Sequence, residues 1–306
     1  MTYNIEKVAV IGMGIIGTQI AIQAACYGYQ VSGFDEVKGS FERSNDIILS
    51  SIKAQKMLPV TGLETWHQGL AKVSLTSELE QVLADADLVI EAVPEQMELK
   101  RAIFAKLDRL SPERTILATN SSTIPISKIE DVTKKPSKCL NLHFYFPALG
   151  MNLVDVMGGR HTSIKTIETC MKWVRSIGCI PIRLKKETFG FCLNRIQHAA
   201  RREAMRMWAD GNVDFEDMDR AWMTWTGMPF GLFGMMDQIG LDVVYNVELS
   251  YFNETKDPKY KPPTALKKMV ENCELGYKTG KGFYSYPDPE YKELDFLSTG
   301  KSDVSK

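Results

Sequence analysis

The sequence predicts an α/β fold, a Rossmann-like doubly wound parallel sheet with a helical insertion, followed by a second, all-α domain. From Lys7 to about Leu184, short apolar runs alternate with helical patterns, as parallel βαβ units require. Glycines at 12, 14 and 17 sit between the first run and the first helical pattern. After Lys186 the strand signals largely stop, and a helical pattern from Phe191 to Ala209 opens a half rich in Met and Trp.

Each element has its own signal. Val8 to Ile11 is apolar throughout, as a strand covered on both faces should be, and Ile15 to Ala25 follows it as a helix. Gln30 to Asp35 is the second strand. Residues 36–74 then break the rhythm: Phe41, Ile48 and Ile52 carry a helical stripe up to Pro59, and Gly62 to Lys72 restarts one. A helical hairpin inserted after the second strand is the expectation. Leu88 to Val93, Thr115 to Thr119, Leu140 to His143, Leu153 to Val156 and Cys179 to Leu184 are the remaining strands. Leu99, Ile103, Leu107 and Leu110 mark one crossover helix, and Ile167, Met171 and Val174 mark another. The expected organisation is a first domain over 1–186, an all-helical domain over 187–290, and a frayed tail over 291–306.

Composition narrows the function. With 306 residues, 44% hydrophobic and 25% charged, the chain has the make-up of an ordinary globular protein of one or two domains. Lys plus Arg (37) against Asp plus Glu (38) leaves a net charge of -1, and without a basic block nucleic acid is not the expected partner. The N-terminus carries Asn4 and Glu6 where a signal peptide needs an apolar core, and no run of 18 apolar residues appears, so no membrane association and a cytoplasmic location are expected. Six cysteines lie far apart with no CxxC pair and read as buried free thiols. His67, His143, His161 and His198 show no ligand spacing, so no metal is expected.

Gly12, Gly14 and Gly17 form GxGxxG, a pattern that chance produces in about one chain in ten of this composition. Its setting is more specific. An apolar strand enters it, a helix leaves it, and Asp35 ends the next strand 18 residues beyond Gly17. Gly12 permits the tight turn, Gly14 lets backbone approach a pyrophosphate, and Gly17 allows close helix–strand packing, with the phosphates on the helix N-terminus. Asp35 should accept the adenosine ribose hydroxyls and repel a 2′-phosphate, so the expected cofactor is NAD rather than NADP. A tight turn with a surface Asp is the plainer alternative.

His143 closes a predicted strand, at the carboxyl end where open α/β sheets place their ligands. Asp155 follows on the next apolar strand, close enough in chain for the two strands to bring them together. Imidazole titrates near neutrality and so can take the proton that leaves an alcohol during its oxidation. A satisfied core histidine is the alternative.

The stretches DADLVIEAVPEQMELK at 85–100, NSS at 120–122, NLHFYFPALGMNLVDV at 141–156, GFCLNR at 190–195, GMPFGLFGMMDQIGLD at 227–242 and ENCELGYKTGKGFYSY at 271–286 stand in one order. Together they resemble the 3-hydroxyacyl-CoA dehydrogenase family, of the NAD-dependent 3-hydroxybutyryl-CoA dehydrogenase type, over nearly the whole chain. The resemblance implies that His143 is the catalytic base and Asp155 its carboxylate partner. It implies that Ser122 bonds the reacting oxygen of the substrate and that Asn194 reaches it from the C-terminal domain. It places Glu95, Lys100 and Asn120 with the cofactor, and Lys56, with Lys53, near the acyl-CoA. A strand-end turn at 120–122, a helix-buried amide at Asn194 and an exposed helix-start pair at Glu95 and Lys100 are the plainer alternatives.

Two departures bear on the substrate. The family usually reads HFFNP where this chain reads HFYFP, with Phe146 in place of Asn, and usually has Glu where this chain has Asp155. The shorter carboxylate must approach the imidazole by about 1.5 Å more, one C–C bond. The cluster of Trp208, Trp222, Trp225, Phe230 and Phe233 with Met205, Met207, Met223, Met228, Met235 and Met236 reads as helical core and subunit interface, or as a widened or aromatic acyl pocket. The resemblance thus implies oxidation of a (3S)-3-hydroxyacyl-CoA in fatty-acid β-oxidation by a homodimer formed through the C-terminal domain. A dehydrogenase of a free hydroxy acid, resembling gulonate dehydrogenase or λ-crystallin, and a non-catalytic NAD-binding protein are the alternatives.

Overall fold

The computed structural model describes residues 4–55, 62–145 and 152–298. Eight strands form one sheet: β1 (Lys7–Ile11), β2 (Gln30–Phe34), β3 (Val73–Leu75), β4 (Leu88–Glu91), β5 (Ile116–Thr119), β6 (Cys139–Phe144), β7 (Leu153–Gly158) and β8 (Ile180–Leu184). Their order is β3-β2-β1-β4-β5-β6-β7-β8. Strands β1 to β4 run parallel, but β2 and β3 are added on one side of β1 and β4 onward on the other, and the crevice at the switch point between β1 and β4 is where such sheets bind ligands.

The first unit, Met1–Leu193, holds the sheet and helices on both of its faces. In β1, Val8 and Val10 face one side and Ala9 and Ile11 the other, the period of two that a pleated strand imposes. The first face packs under α1 (Ile15–Cys26), α2 (Ser40–Gln55), α3 (Leu63–Leu70) and α6 (Ile164–Ser176). The second packs under α4 (Leu79–Leu83) and α5 (Met97–Leu110). The inserted helices are part of this core: Trp66 of α3 is fully buried and donates Nε1–H to Asn45 Oδ1 at 3.3 Å. At Gly69 a Cβ would lie 2.4 Å from Cys26 Sγ, so glycine is what lets α3 approach α1.

Several expectations are corrected. The pairing is not parallel throughout, because β7 runs antiparallel to β6. The link between them is too short for a crossover, which takes a dozen or more residues. The strand β3 was not foreseen, since Val73–Leu75 is short and mostly exposed and has no apolar run to announce it. On α5 the fully buried residues are Lys100, Phe104 and Leu107; Leu107 is buried as expected, Ile103 and Leu110 are half-buried against the same core, and Leu99 alone of the expected stripe is exposed. Leu99 is 39% exposed and lines the pocket described below, while Lys100 is buried because it is ion-paired.

The second unit, Asn194–Lys306, is helical. Its elements are α7 (Leu193–Ala209, its first residue belonging to the first unit), α8 (Phe215–Thr226), α9 (Leu232–Ile239), α10 (Leu241–Thr255) and α11 (Thr264–Glu271). The helix expected from Phe191 begins at Leu193, because Phe191 itself is in the left-handed region at φ 54°. Met205, Met223, Phe233 and Met236 are buried in this unit's core, but Trp225 of the same cluster is 80% exposed. The segment after Tyr291, expected to be frayed or solvated, is largely exposed as far as Ser298, yet it is docked at one point: Phe296 is buried, its ring lies 4.8 Å from the Arg220 guanidinium, and its carbonyl accepts from Arg220 Nε at 2.7 Å. Of the cysteines, Cys139, Cys170 and Cys179 are buried as expected, while Cys26 and Cys192 are half-buried and Cys273 is exposed. Burial pushes the Cys139 and Cys179 thiols up to about 12, which keeps them unreactive. Among the described residues no helix is long and apolar enough to cross a membrane.

Candidate active site

The turn from β1 into α1 opens onto a pocket of about 630 Å³ lined by Gly12, Gly14, Phe34, Asp35, Pro94 and Leu99 among others. Two of the three glycines are required by the protein itself. A Cβ on Gly12, at φ 96°, would meet the Ala92 carbonyl oxygen at 2.7 Å, and one on Gly17 would meet the Gly12 oxygen at 1.9 Å. A Cβ on Gly14 would meet nothing within 4 Å. Its space is open, so only a ligand needs glycine there. Helix α1 starts at this point with no side-chain cap and no acidic residue in its first turn, which suits an anion on its amides. Asp35 is held at the rim: Oδ2 accepts Met13 N–H at 2.7 Å and Oδ1 accepts Val37 N–H at 2.7 Å. These features fit a dinucleotide with its pyrophosphate on α1 and an unphosphorylated ribose at Asp35.

Beside the pocket, the end of β4 carries a polar cluster. Lys100 Nζ lies 2.6 Å from Glu91 Oε1, 3.1 Å from the Val93 carbonyl and 3.3 Å from Glu95 Oε2, so each of its three protons has an acceptor. Glu91 also accepts Val93 N–H and, on its other oxygen, the Thr119 hydroxyl. Glu95 Oε1 accepts the Ser121 hydroxyl at 2.5 Å, Thr123 N–H at 2.9 Å and the Thr123 hydroxyl at 2.7 Å. Burial raises the Glu95 pKa, but these hydrogen bonds and the Lys100 charge outweigh it and hold the carboxyl below its usual range. The sequence-expected pair Glu95 and Lys100 is therefore brought together, though Lys100 is buried and its shortest bond goes to Glu91, a residue not foreseen. Its only signal was a carboxylate ending an apolar strand.

The turn after β5 joins this cluster to the histidine. Asn120 Oδ1 accepts Phe144 N–H at 2.9 Å, and so ties the turn to β6. The register of β6 and β7 sets His143 directly opposite Asp155. His143 Nδ1 is 3.3 Å from Asp155 Oδ2, and Ser122 Oγ is 3.2 Å from His143 Nε2. Both Asp155 and His143 are buried. An ionised carboxylate only accepts, so Nδ1 carries the ring proton and Nε2 is the acceptor. The nitrogen–carboxylate distance is at the long end for such a bond, as the shorter aspartate arm implies.

Two neighbours of this histidine escaped the sequence reading. Phe191 stacks on the imidazole with centroids 4.5 Å apart and planes 20° from parallel. The Tyr145 hydroxyl donates to Asp155 Oδ2 at 2.5 Å. A positive φ at Phe191 shows only once the chain is folded, whereas Tyr145 has a signal in the sequence, since it stands where the family's HFFNP has its second phenylalanine. Asn194 lies in α7 as the first residue of the second unit. Lys56 and Phe146 lie outside the described residues, as does the side chain of Lys53.

Fold and turn together define a dinucleotide-binding protein whose sheet also carries a serine–histidine–aspartate chain, a combination suited to an oxidoreductase. Comparison with known proteins makes the class specific. Residues 7–188 match the family model of the 3-hydroxyacyl-CoA dehydrogenase NAD-binding domain, and residues 190–286 match that of the C-terminal domain. The 3-hydroxybutyryl-CoA dehydrogenase of Clostridioides difficile is 36% identical over 284 residues, covering 92% of this chain and 99% of that one. A crystal structure of (S)-3-hydroxybutyryl-CoA dehydrogenase from Ralstonia eutropha superposes with a TM-score of 0.82 at 30% identity, over 93% of this chain and all of the other. The 5-formyl-3-hydroxy-2-methylpyridine 4-carboxylate 5-dehydrogenase of Mesorhizobium japonicum is 29% identical over 293 residues, covering 95% of this chain and 94% of that one. The chain belongs to the 3-hydroxyacyl-CoA dehydrogenase family, and its cofactor is NAD.

Proposed function

We propose that this protein oxidises a (3S)-3-hydroxyacyl-CoA to the 3-oxoacyl-CoA, with His143 as general base, Asp155 as its carboxylate partner and Ser122 and Asn194 holding the substrate oxygen. The single observation that carries the reading is the continuous chain Ser122 Oγ, His143 Nε2, His143 Nδ1, Asp155 Oδ2 in the same sheet that carries the dinucleotide turn. Gly12, Gly14, Gly17 and Asp35 hold the adenosine half of NAD, and Glu95, oriented by Lys100, holds the nicotinamide-side ribose next to Asn120. NAD, when bound, accepts the hydride from the carbinol carbon. Ser122 fixes the hydroxyl oxygen, and His143 Nε2 takes its proton as the carbonyl forms. Asp155 keeps the ring in that tautomer and supports the imidazolium.

Lys56 and Lys53 of the insertion are assigned to the CoA phosphates. The working form is a cytoplasmic homodimer through the helical unit, in keeping with the exposed Ile196 and Trp225 on α7 and α8. The name of the Mesorhizobium relative contains no CoA and so supports a second reading, a substrate that is not a CoA ester, of which a free hydroxy acid is the case to test.

Initial rates with NAD across short, long and aromatic 3-hydroxyacyl-CoA esters, and across the free acids, separate the two. Turnover of esters alone is the expected result, and turnover of free acids alone would overturn the ester reading. In the same assay His143→Gln is expected to bind NAD normally and to lose two to four decades of rate, roughly the scale of general base catalysis. Near-parent rates in that variant would make His143 a core histidine.

A further inference from the structure

The carboxylate behind the base has a second proprietor. Asp155 is wholly buried, and its Oδ1 has no hydrogen-bond partner among the described residues. Its Oδ2 receives two donors, the His143 ring at 3.3 Å and the Tyr145 hydroxyl at 2.5 Å. The tyrosine bond is the short one, the imidazole bond the long one. The direction of the tyrosine bond is fixed from outside. Tyr145 Oη accepts the backbone N–H of Leu193 at 3.0 Å, the first residue of α7, whose amide has no partner within its own helix. An oxygen that accepts from a backbone amide turns its own proton to the remaining acceptor, which is Asp155. The tyrosine ring also meets the imidazole edge-on, with centroids 4.7 Å apart.

We propose that Tyr145 is a positioning residue for the base: its hydroxyl, braced by the Leu193 amide, holds the short Asp155 carboxylate in place and draws off part of its charge. This rests on the assignment of His143 and Asp155 given above. Two consequences follow from the geometry. A carboxylate that already accepts one strong hydrogen bond has less charge to lend to a protonated imidazole, so the tyrosine weakens the support Asp155 gives the ring once it has taken the proton. The hydroxyl also occupies the space into which a longer carboxylate would extend, because a methylene adds about 1.5 Å to an arm whose oxygen is already 2.5 Å from Oη.

The test is a set of four enzymes: the parent, Tyr145→Phe, Asp155→Glu and the double variant. Each is read by NAD binding and by the pH dependence of kcat and kcat/KM with the best substrate found above. Tyr145→Phe is expected to bind NAD as the parent does, to lower kcat about tenfold through loss of one charge-assisted hydrogen bond, and to move the acid limb of kcat/KM upward. Asp155→Glu is expected to be slow beside Tyr145 and about tenfold faster once Tyr145 is phenylalanine, because the obstructing oxygen is gone.

A parent-like kcat in Tyr145→Phe, a fall in kcat with an unmoved or lowered pKa, or an Asp155→Glu that is equally slow in both backgrounds overturns the proposal. Failure of the underlying assignment shows elsewhere, as a His143→Gln enzyme that keeps its rate.

Discussion

Replacing Lys100 by methionine removes one charge from a pair that water does not reach. Lys100 and Glu91 are 1% and 0% exposed, and their charged atoms are 2.6 Å apart. Methionine keeps most of the lysine stem, so the cavity it leaves is small and the cost is electrostatic. Breaking a buried pair on one side typically costs about 3–5 kcal/mol, since the orphaned charge stays desolvated. Glu91 retains the Val93 amide and the Thr119 hydroxyl as donors, which places the expected loss near the lower end, about 3 kcal/mol. Glu95, 3.3 Å from the same ammonium, loses its counter-charge as well.

The assay is urea unfolding followed by far-UV circular dichroism, with hydrogen exchange of the β4 and β5 amides assigning the loss to the first unit. The double variant Lys100→Met/Glu91→Gln removes both charges and is expected to recover at least half of the deficit. A loss below about 1 kcal/mol in Lys100→Met, the scale of a surface pair, or a double variant no more stable than the single one, would refute the reasoning.

Two further outcomes are expected. If the adenosine ribose lies at Asp35 as proposed, its carboxylate would oppose a 2′-phosphate, so titration by fluorescence should show NAD binding at least tenfold more tightly than NADP, about 1.4 kcal/mol, and equal affinities would contradict that placement. Glu95 has a folded-state pKa held below its usual value, so its contribution to stability is present above the unfolded pKa and is lost as pH falls through the folded one. The melting-temperature gap between the parent and Glu95→Gln should therefore stay constant from pH 8 to about 5.5 and narrow only below the ordinary glutamate range near 4.5; narrowing already at pH 6.5 would mean the carboxylate is not held ionised.

Local pattern determined a large part of this protein. The apolar runs of β1, β4 and β5, the stripe of α6 and the GxGxxG turn are properties of a few neighbouring residues, and the fold places them where their spacing demands. The requirement at Gly17 is local too, since it meets Gly12 backbone within the same turn, whereas Gly12 must be glycine because Ala92, at the end of the neighbouring strand, comes against it. The pairing of His143 with Asp155 was legible because two strands joined by a short link fold back in register. What pattern could not supply was anything set by approach from a distant segment.

The sequence leaves open whether Lys100 is a cofactor-side residue or an exposed partner of Glu95, because nothing near it says that Glu91 ends a strand directly beneath it. The antiparallel β7, the exposed β3, the docking of Phe296 on Arg220 and the stacking of Phe191 on His143 were decided by tertiary packing. The same holds for Tyr145. Periodicity can say that an aromatic residue follows the histidine. Only the folded sheet brings its hydroxyl to the carboxylate oxygen that the histidine also uses, because hydrogen-bond geometry is fixed to tenths of an ångström by register and packing while periodicity fixes only which face a residue takes.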